Sequence, residues 1–85
     1  MDPLPFGHVT QATFEELVRR LWLRAQSEKW GRDPVEDALQ LGRVIAILQN
    51  QPDLLTDGNR VTHNLGTTKT EWLRGLHAKY IERLP

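Results

Sequence analysis

Apolar residues recur every three or four positions through residues 13–29, the spacing of a helix with one buried face. Thr13, followed three residues later by Glu16, has the pattern of a capping box, in which both side chains accept amides of the first helical turn. The pattern therefore predicts a first helix over residues 13–29, after an extended lead-in over residues 1–12. The predicted apolar face consists of Phe14, Leu17, Val18, Leu21, Trp22 and Ala25.

A second helix is predicted over residues 34–50. Asp33 suits the cap position, and Pro34 suits the first turn, where the amide it lacks would have no helical partner. Pro52 ends the helix, because proline disfavours helix at the residue before it. Apolar residues cover more than half of its circumference, which predicts the central helix of the fold. They are Ala38, Leu39, Leu41, Val44, Ile45, Ile47 and Leu48.

Two local structures are compatible with the segment that follows. Asp57-Gly58 tolerates the positive φ angles of a type I′ turn, which predicts a short hairpin over residues 55–62. Thr56 can alternatively act as a helix cap, which predicts a short helix over residues 56–65. The sequence leaves this choice open.

The last helix is predicted over residues 68–83. Thr68 with Glu71 three residues later again has the pattern of a capping box, and an apolar stripe follows it. We therefore expect an all-α fold, a small three- to four-helix bundle, in which residues 13–85 form one helical domain. A chain of 85 residues leaves no room for a second one.

Composition narrows the class of protein. The chain contains no cysteine, which excludes disulfides, thiolate metal sites and thiol catalysis. The N-terminus lacks the basic and apolar regions of a signal peptide, and no segment approaches the ~20 apolar residues of a membrane span. We expect a soluble, cytoplasmic protein that does not contact membranes.

Charge is balanced over the chain but not along it. Lysine plus arginine and aspartate plus glutamate number eleven each. Residues 1–59 nevertheless carry six basic and nine acidic side chains, whereas residues 60–85 carry five basic and two acidic ones. The C-terminal third is therefore the part of the chain with a basic surface suited to nucleic acid.

No pattern indicates catalysis or a cofactor. His8, His63 and His77 lie far apart, with no second ligand at helical spacing, so a zinc site is not predicted. No threonine lies in a strained glycine elbow, and no glycine-rich phosphate loop is present. We predict a protein that is not an enzyme and that binds no metal or cofactor.

The sequence LGTTKTEWLRGL, from Leu65 to Leu76, has the spacing of a helix-turn-helix unit. Such a unit needs an apolar residue and a glycine at the turn, polar residues at the start of the second helix, and apolar anchors along it. Leu65-Gly66 would form the turn, which requires a positive φ at Gly66, and Trp72 and Leu76 would anchor the second helix.

Over residues 56–80 the chain thereby resembles the helix-turn-helix superfamily of small DNA-binding regulators. The resemblance implies binding of duplex DNA, with Thr68, Lys69, Thr70 and Arg74 facing the major groove and Thr67 and Lys79 near phosphates. The chain departs from the usual pattern at Gly58-Asn59, which suit a first helix poorly, and at Gly75, where an apolar residue is common. Thr62 also replaces the commoner alanine.

The alternative is that Gly66 ends a turn and Thr68 caps the last helix of a bundle, without DNA binding. The chain would then be a protein-interaction module, such as an adaptor, inhibitor or assembly subunit. Its contacts would come from the first helix and Trp30, with Arg20 and Arg24 beside it, or from the broad apolar second helix. That helix has more apolar surface than a bundle this small can bury, so we also predict a homodimer.

Overall fold

The computed structural model describes residues 8–84 and is all-α over that range, without a β-strand. Its elements are α1 (Gln11–Gln26), α2 (Pro34–Asn50), a 3₁₀ helix (Pro52–Leu55) and α3 (Arg60–Glu82). The predicted all-α fold is confirmed. The hairpin predicted over residues 55–62 is wrong, because this segment contains the end of the 3₁₀ helix, a turn and the start of α3.

The ends of α1 differ from the prediction. Thr10 is the cap, since its Oγ1 accepts a hydrogen bond from the Thr13 amide at 3.2 Å. The helix therefore begins two residues before Thr13, whose predicted capping role is wrong. It ends at Gln26 rather than at residue 29, with Ser27 at its C-terminal cap. Of the predicted lead-in, residues 1–7 lie outside the described part of the chain.

The start and end of α2 agree with the prediction. The Asp33 side chain accepts a hydrogen bond from the Glu36 amide at 3.1 Å, and Pro34 is the first helical residue. The helix runs to Asn50, and Pro52 opens the 3₁₀ helix. Asp33-Pro34 and Pro52, which set these two ends, act locally in sequence, and tertiary contacts do not shift the ends.

The cap of α3 is neither of the two predicted residues. Asn59 caps it, and its side-chain oxygen accepts a hydrogen bond from the Val61 amide at 2.8 Å. Thr56 lies before the helix, and its carbonyl accepts a hydrogen bond from the Thr62 hydroxyl at 3.2 Å. The non-helical backbone of Gly66 separates residues 60–65 from the rest of α3, so the predicted short helix ends at residue 65 as predicted but begins at Arg60 rather than at residue 56. The last helix, predicted over residues 68–83, corresponds to the part of α3 after Gly66, which ends at Glu82.

One hydrophobic cluster contains residues from every element. Its fully buried members include Phe14 and Val18 of α1 and Leu73 of α3. Trp22 and Trp72 join α1 to α3 at the margin of this core, with ring centroids 5.1 Å apart and planes at 83°. None of the helices between residues 8 and 84 is long and apolar enough to cross a membrane.

The start of α1 is joined to the end of α2 by two hydrogen bonds. The Val9 amide donates to Gln51 Oε1, and Gln51 Nε2 donates to the Val9 carbonyl, both at 2.8 Å. Val9 is also buried, so this contact fixes the position of the chain immediately before α1. The next residue is Thr10, which caps α1.

Candidate interaction surface

Gly66 divides α3 into two helical parts. Its backbone angles are φ 79° and ψ 160°, whereas the rest of α3 is helical. The predicted positive φ at Gly66 is therefore confirmed. A bend between two helical parts is one requirement of a helix-turn-helix unit.

The residues predicted to contact DNA do not form one exposed set. Thr67 and Thr68 are exposed. Thr70, predicted to face the groove, is only 3% exposed, and its hydroxyl donates to the Thr62 carbonyl at 3.3 Å. The groove-facing position predicted for Thr70 is wrong, because its hydroxyl satisfies a backbone carbonyl on the other side of the bend.

Arg74 is bound within the molecule. Its Nη2 donates to the Leu55 carbonyl at 2.5 Å and to Asp57 Oδ1 at 2.7 Å. The hydrogen bond from this guanidinium lowers the pKa of Asp57. Arg74 therefore connects α3 to the turn before it, and contact with a DNA base would require breaking these bonds.

The predicted basic residues of α3 also lie on different sides of the helix. Successive residues of an α-helix are about 100° apart, so Lys69 and Arg74 are about 140° apart. Lys69 is partly buried, whereas Lys79 is exposed. Lys69 and Lys79 lie about 80° apart by the same count and flank one side together. The shared surface predicted for Lys69 and Arg74 is therefore not formed.

The connection between α1 and α2 is organised around a buried carboxylate. Asp37 is 7% exposed and accepts hydrogen bonds from the Gly31 amide at 2.8 Å and from Arg24 Nε. The Gly31 amide and the Arg24 guanidinium together hold the pKa of Asp37 below its ordinary value. Arg24 therefore has a structural partner rather than an open contact position.

The other two predicted partner-binding residues, Arg20 and Trp30, are both exposed. Arg20 pairs with Glu16 at 3.1 Å along α1, and Glu16 also pairs with Arg19 at 2.7 Å. Hydrogen bonds from Arg20 and Arg19 lower the pKa of Glu16. The Thr13 amide, which the predicted capping box would pair with Glu16, donates to Thr10 Oγ1 instead. Trp30 is 39% exposed in the loop immediately before α2, where its indole remains accessible to a partner.

The sequence pattern did not show which side of α2 carries an exposed apolar surface. Leu39, Gly42 and Ala46 follow Val35 at intervals of four, three and four residues, so these residues lie on one side of the helix. Ala38 lies at the edge of the same side. We call this set the outer face of α2; its members are Val35, Ala38, Leu39, Gly42 and Ala46.

This outer face is directed away from the core. Val35 is 79% and Leu39 49% exposed, whereas Val44 and Leu48 on the opposite side are 1% exposed. A surface helix is normally polar on its outer side. The predicted excess of apolar surface on α2 indicated that this helix has an exposed apolar face. Where that face lies depends on how the helix is rotated against α1.

Gly42 has no structural requirement for glycine in this chain. A Cβ atom built there meets nothing within 4 Å, and the residue lies inside a helix, without a positive φ. A glycine inside a helix is about 0.5–1 kcal/mol less favourable than alanine. The outer face of α2 therefore carries a locally unfavourable residue at its centre.

Between residues 8 and 84, no group of three or more histidine, aspartate or glutamate side chains is placed to hold a metal ion. A cleft of about 420 Å³ opens beside the Gly66 bend, but its arginine, Arg74, is already paired with Asp57.

Comparison of the chain with protein families, with curated proteins and with solved structures finds no match.

Proposed function

We propose that this chain is a helical protein-interaction module whose contact surface is the outer face of α2. The observation that supports it is the exposure of Val35 and Leu39 on a helix whose opposite side is fully buried. Contiguous exposed apolar surface marks contact sites on soluble proteins. Trp30, which is also exposed, lies in the loop before this helix.

Such a module acts by binding alone. Burying one Val or Leu side chain in a complex contributes about 1.5–3 kcal/mol, so two such residues provide a useful part of a micromolar affinity. No covalent step and no cofactor is part of the proposal. We expect the protein to act in the cytoplasm and as a homodimer.

A pull-down from the source cells tests this function. The tagged wild type is compared with Val35→Asp and Leu39→Asp, which place a charge on the outer face. We expect the wild type to retain a protein that both variants lose. The control is Ala12→Asp, an exposed helical position in α1 that should retain the same protein. Equal retention by all four proteins would reject this contact surface.

DNA binding is the second candidate, and the Gly66 bend with exposed Thr67 and Thr68 favours it. Fluorescence anisotropy with random duplex DNA at low salt tests it. If the chain binds DNA, Lys69→Ala with Lys79→Ala should reduce the slope of log affinity against log salt by about 1–2. A wild type that binds no duplex more tightly than ~100 μM would reject this candidate.

A further inference from the structure

We infer that the outer face of α2 binds the same face of a second copy of this chain, with the two helices antiparallel. This inference rests on the proposed function and names the partner. Three properties of the outer face support it, namely its shape, its charges and the glycine at its centre. Each of them is complementary to the same face of a second copy related by a two-fold axis.

The shape of the face is complementary to itself. Val35 and Leu39, four residues apart, form a ridge, and Ala38, Gly42 and Ala46, also four residues apart, form a shallow groove beside it. Helices pack by fitting such ridges into such grooves. The ridge lies in the N-terminal half of α2, whereas Gly42 and Ala46 of the groove lie at its middle and in its C-terminal half. An antiparallel partner therefore brings each ridge to these small residues of the other copy.

A two-fold axis near Gln40 and Leu41 fixes the register. Leu39 then lies opposite Gly42 of the partner subunit, and Val35 lies opposite Ala46 of the partner subunit. A large side chain faces a small one at both levels. In a parallel pair, by contrast, Leu39 would meet Leu39 of the partner subunit and the glycines would face each other across a gap.

The charges beside the face support the same arrangement. Glu36 and Arg43 are seven residues apart and therefore lie on the same flank of α2. Arg43 is exposed and forms no ion pair within residues 8–84. In the antiparallel pair each Arg43 approaches Glu36 of the partner subunit, which gives two symmetric ion pairs. In a parallel pair this flank of the two copies would lie on opposite sides of the interface, so Arg43 would not meet Glu36 of the partner subunit.

This packing also explains Gly42. No contact within the chain requires a glycine there, since a Cβ atom would meet nothing within 4 Å. A close approach by Leu39 of the partner subunit requires that position to be small. The contact is one helix wide and smaller than the ~800 Å² per partner of a standard interface, so we expect a dissociation constant of about 1–100 μM.

Sedimentation equilibrium over a concentration range from about 5 to 500 μM tests the association itself. We expect a reversible monomer–dimer equilibrium for the full chain. A wild type that remains monomeric at the highest concentration would overturn the inference. If such a monomer still retained a protein through Val35 and Leu39 in the pull-down, the proposed function would stand with a different partner.

Two glycine variants test the position of the contact. Gly42→Gln places a long polar side chain on the outer face, and we expect at least about tenfold weaker dimerisation. Gly75→Gln is the matched control, because Gly75 is also helical and exposed and a Cβ atom there also meets nothing within 4 Å. It should dimerise as the wild type does. Equal dissociation constants for the two variants would overturn the inference.

A charge reversal tests the register without changing the apolar face. Arg43→Glu should weaken dimerisation about 5- to 20-fold, because it replaces two attractive pairs by two repulsive ones. Adding Glu36→Arg to the same chain should restore most of the affinity, while Glu36→Arg alone should weaken it. Circular dichroism confirms that each variant remains helical. If the double variant dimerised no better than the single ones, the antiparallel register would be wrong.

Discussion

The backbone at Gly66 adopts angles that only glycine adopts without strain. Its φ of 79° and ψ of 160° fall in a region that a Cβ atom makes unfavourable. No neighbouring atom lies within 4 Å of a Cβ built there, so the restriction comes from the backbone alone. Gly66 therefore determines the bend of α3 whatever its surface contacts.

Gly66→Ala should lower the free energy of unfolding by about 1–3 kcal/mol, because alanine is strained at these angles. Urea unfolding followed by circular dichroism measures the change. Gly75→Ala is the control and should raise stability by about 0.5–1 kcal/mol, since Gly75 is helical. An unchanged midpoint for Gly66→Ala would mean that the bend is not required in solution.

Asp37 should make stability depend on acid pH. Its pKa is lowered in the folded protein, first by the Gly31 amide and then by Arg24. The folded state therefore favours the ionised carboxylate, and this stabilisation is present above pH ~4 and is lost as the pH falls through the lowered pKa. Asp37→Asn should melt several degrees lower at pH 7 and should lose less stability on acidification.

Thermal melts between neutral and acid pH measure this difference. Asp53→Asn is the control, because Asp53 is exposed and forms no ion pair within the described residues. It should retain the pH dependence of the wild type. Parallel pH profiles for Asp37→Asn and the wild type would contradict the role of Asp37.

At the level of elements, α2 was predictable because its signals are adjacent in sequence. Asp33 and Pro34 start it, and Pro52 limits it without help from distant contacts. The start of α1 was not predictable in this way, since Thr10 and Thr13 are both suitable caps and no local signal distinguishes them. In the structure, Thr10 follows Val9, which is bound to Gln51, 42 residues away.

Contacts between elements also limited the prediction of the site. Arg74 appeared available for DNA because its partners, the Leu55 carbonyl and Asp57, lie 19 and 17 residues before it. The periodicity of α3 did not show this contact. Thr70 was misplaced for a related reason, since its partner is a carbonyl on the other side of the Gly66 bend.

Arg74→Ala should lower the free energy of unfolding by about 1 kcal/mol, because the hydrogen bond to the Leu55 carbonyl is lost. Chemical denaturation measures it. Lys79→Ala is the control; Lys79 is exposed and forms no ion pair within the described residues, so its stability should be unchanged. Equal stabilities of both variants would argue against a structural role of Arg74.

Trp22 and Trp72 should couple α1 to α3 energetically. Their edge-to-face geometry at 5.1 Å is favourable for aromatic rings. A double-mutant cycle with Trp22→Leu and Trp72→Leu should give a coupling energy of about 0.5–1.5 kcal/mol. The pair Trp22→Leu and Trp30→Leu serves as the control and should be additive. Additivity in both cycles would contradict the contact.

At the level of the whole molecule, the sequence predicted which segments are helical but not which helix surface would be exposed. The apolar residues of α2 extend around more than half of the helix, so the pattern alone does not say which side faces the core. Asp37, Val44 and Leu48 are buried, and this leaves Val35 and Leu39 outside. Packing against α1, the 3₁₀ helix and α3 decides between these sides.

Because one hydrophobic cluster includes residues of all the helices, the chain should unfold in a single transition. Tryptophan fluorescence and far-ultraviolet circular dichroism should give the same urea midpoint at one protein concentration. In a Trp30→Phe background, fluorescence reports on Trp22 and Trp72, and circular dichroism reports on all helices. An earlier fluorescence transition would mean that α1 and α3 separate before the helices unfold.

The two hydrogen bonds between Val9 and Gln51 also have a consequence for exchange with solvent deuterium. Val9 precedes α1, so no helical hydrogen bond protects its amide, yet that amide is buried and donates to a side chain 42 residues away. Its hydrogen exchanges when the hydrogen bond to Gln51 opens at the junction between the N-terminal end of α1 and the C-terminal end of α2. The exchange rate of this one amide therefore times the opening of the junction between two helices, independently of the fraying of either helix.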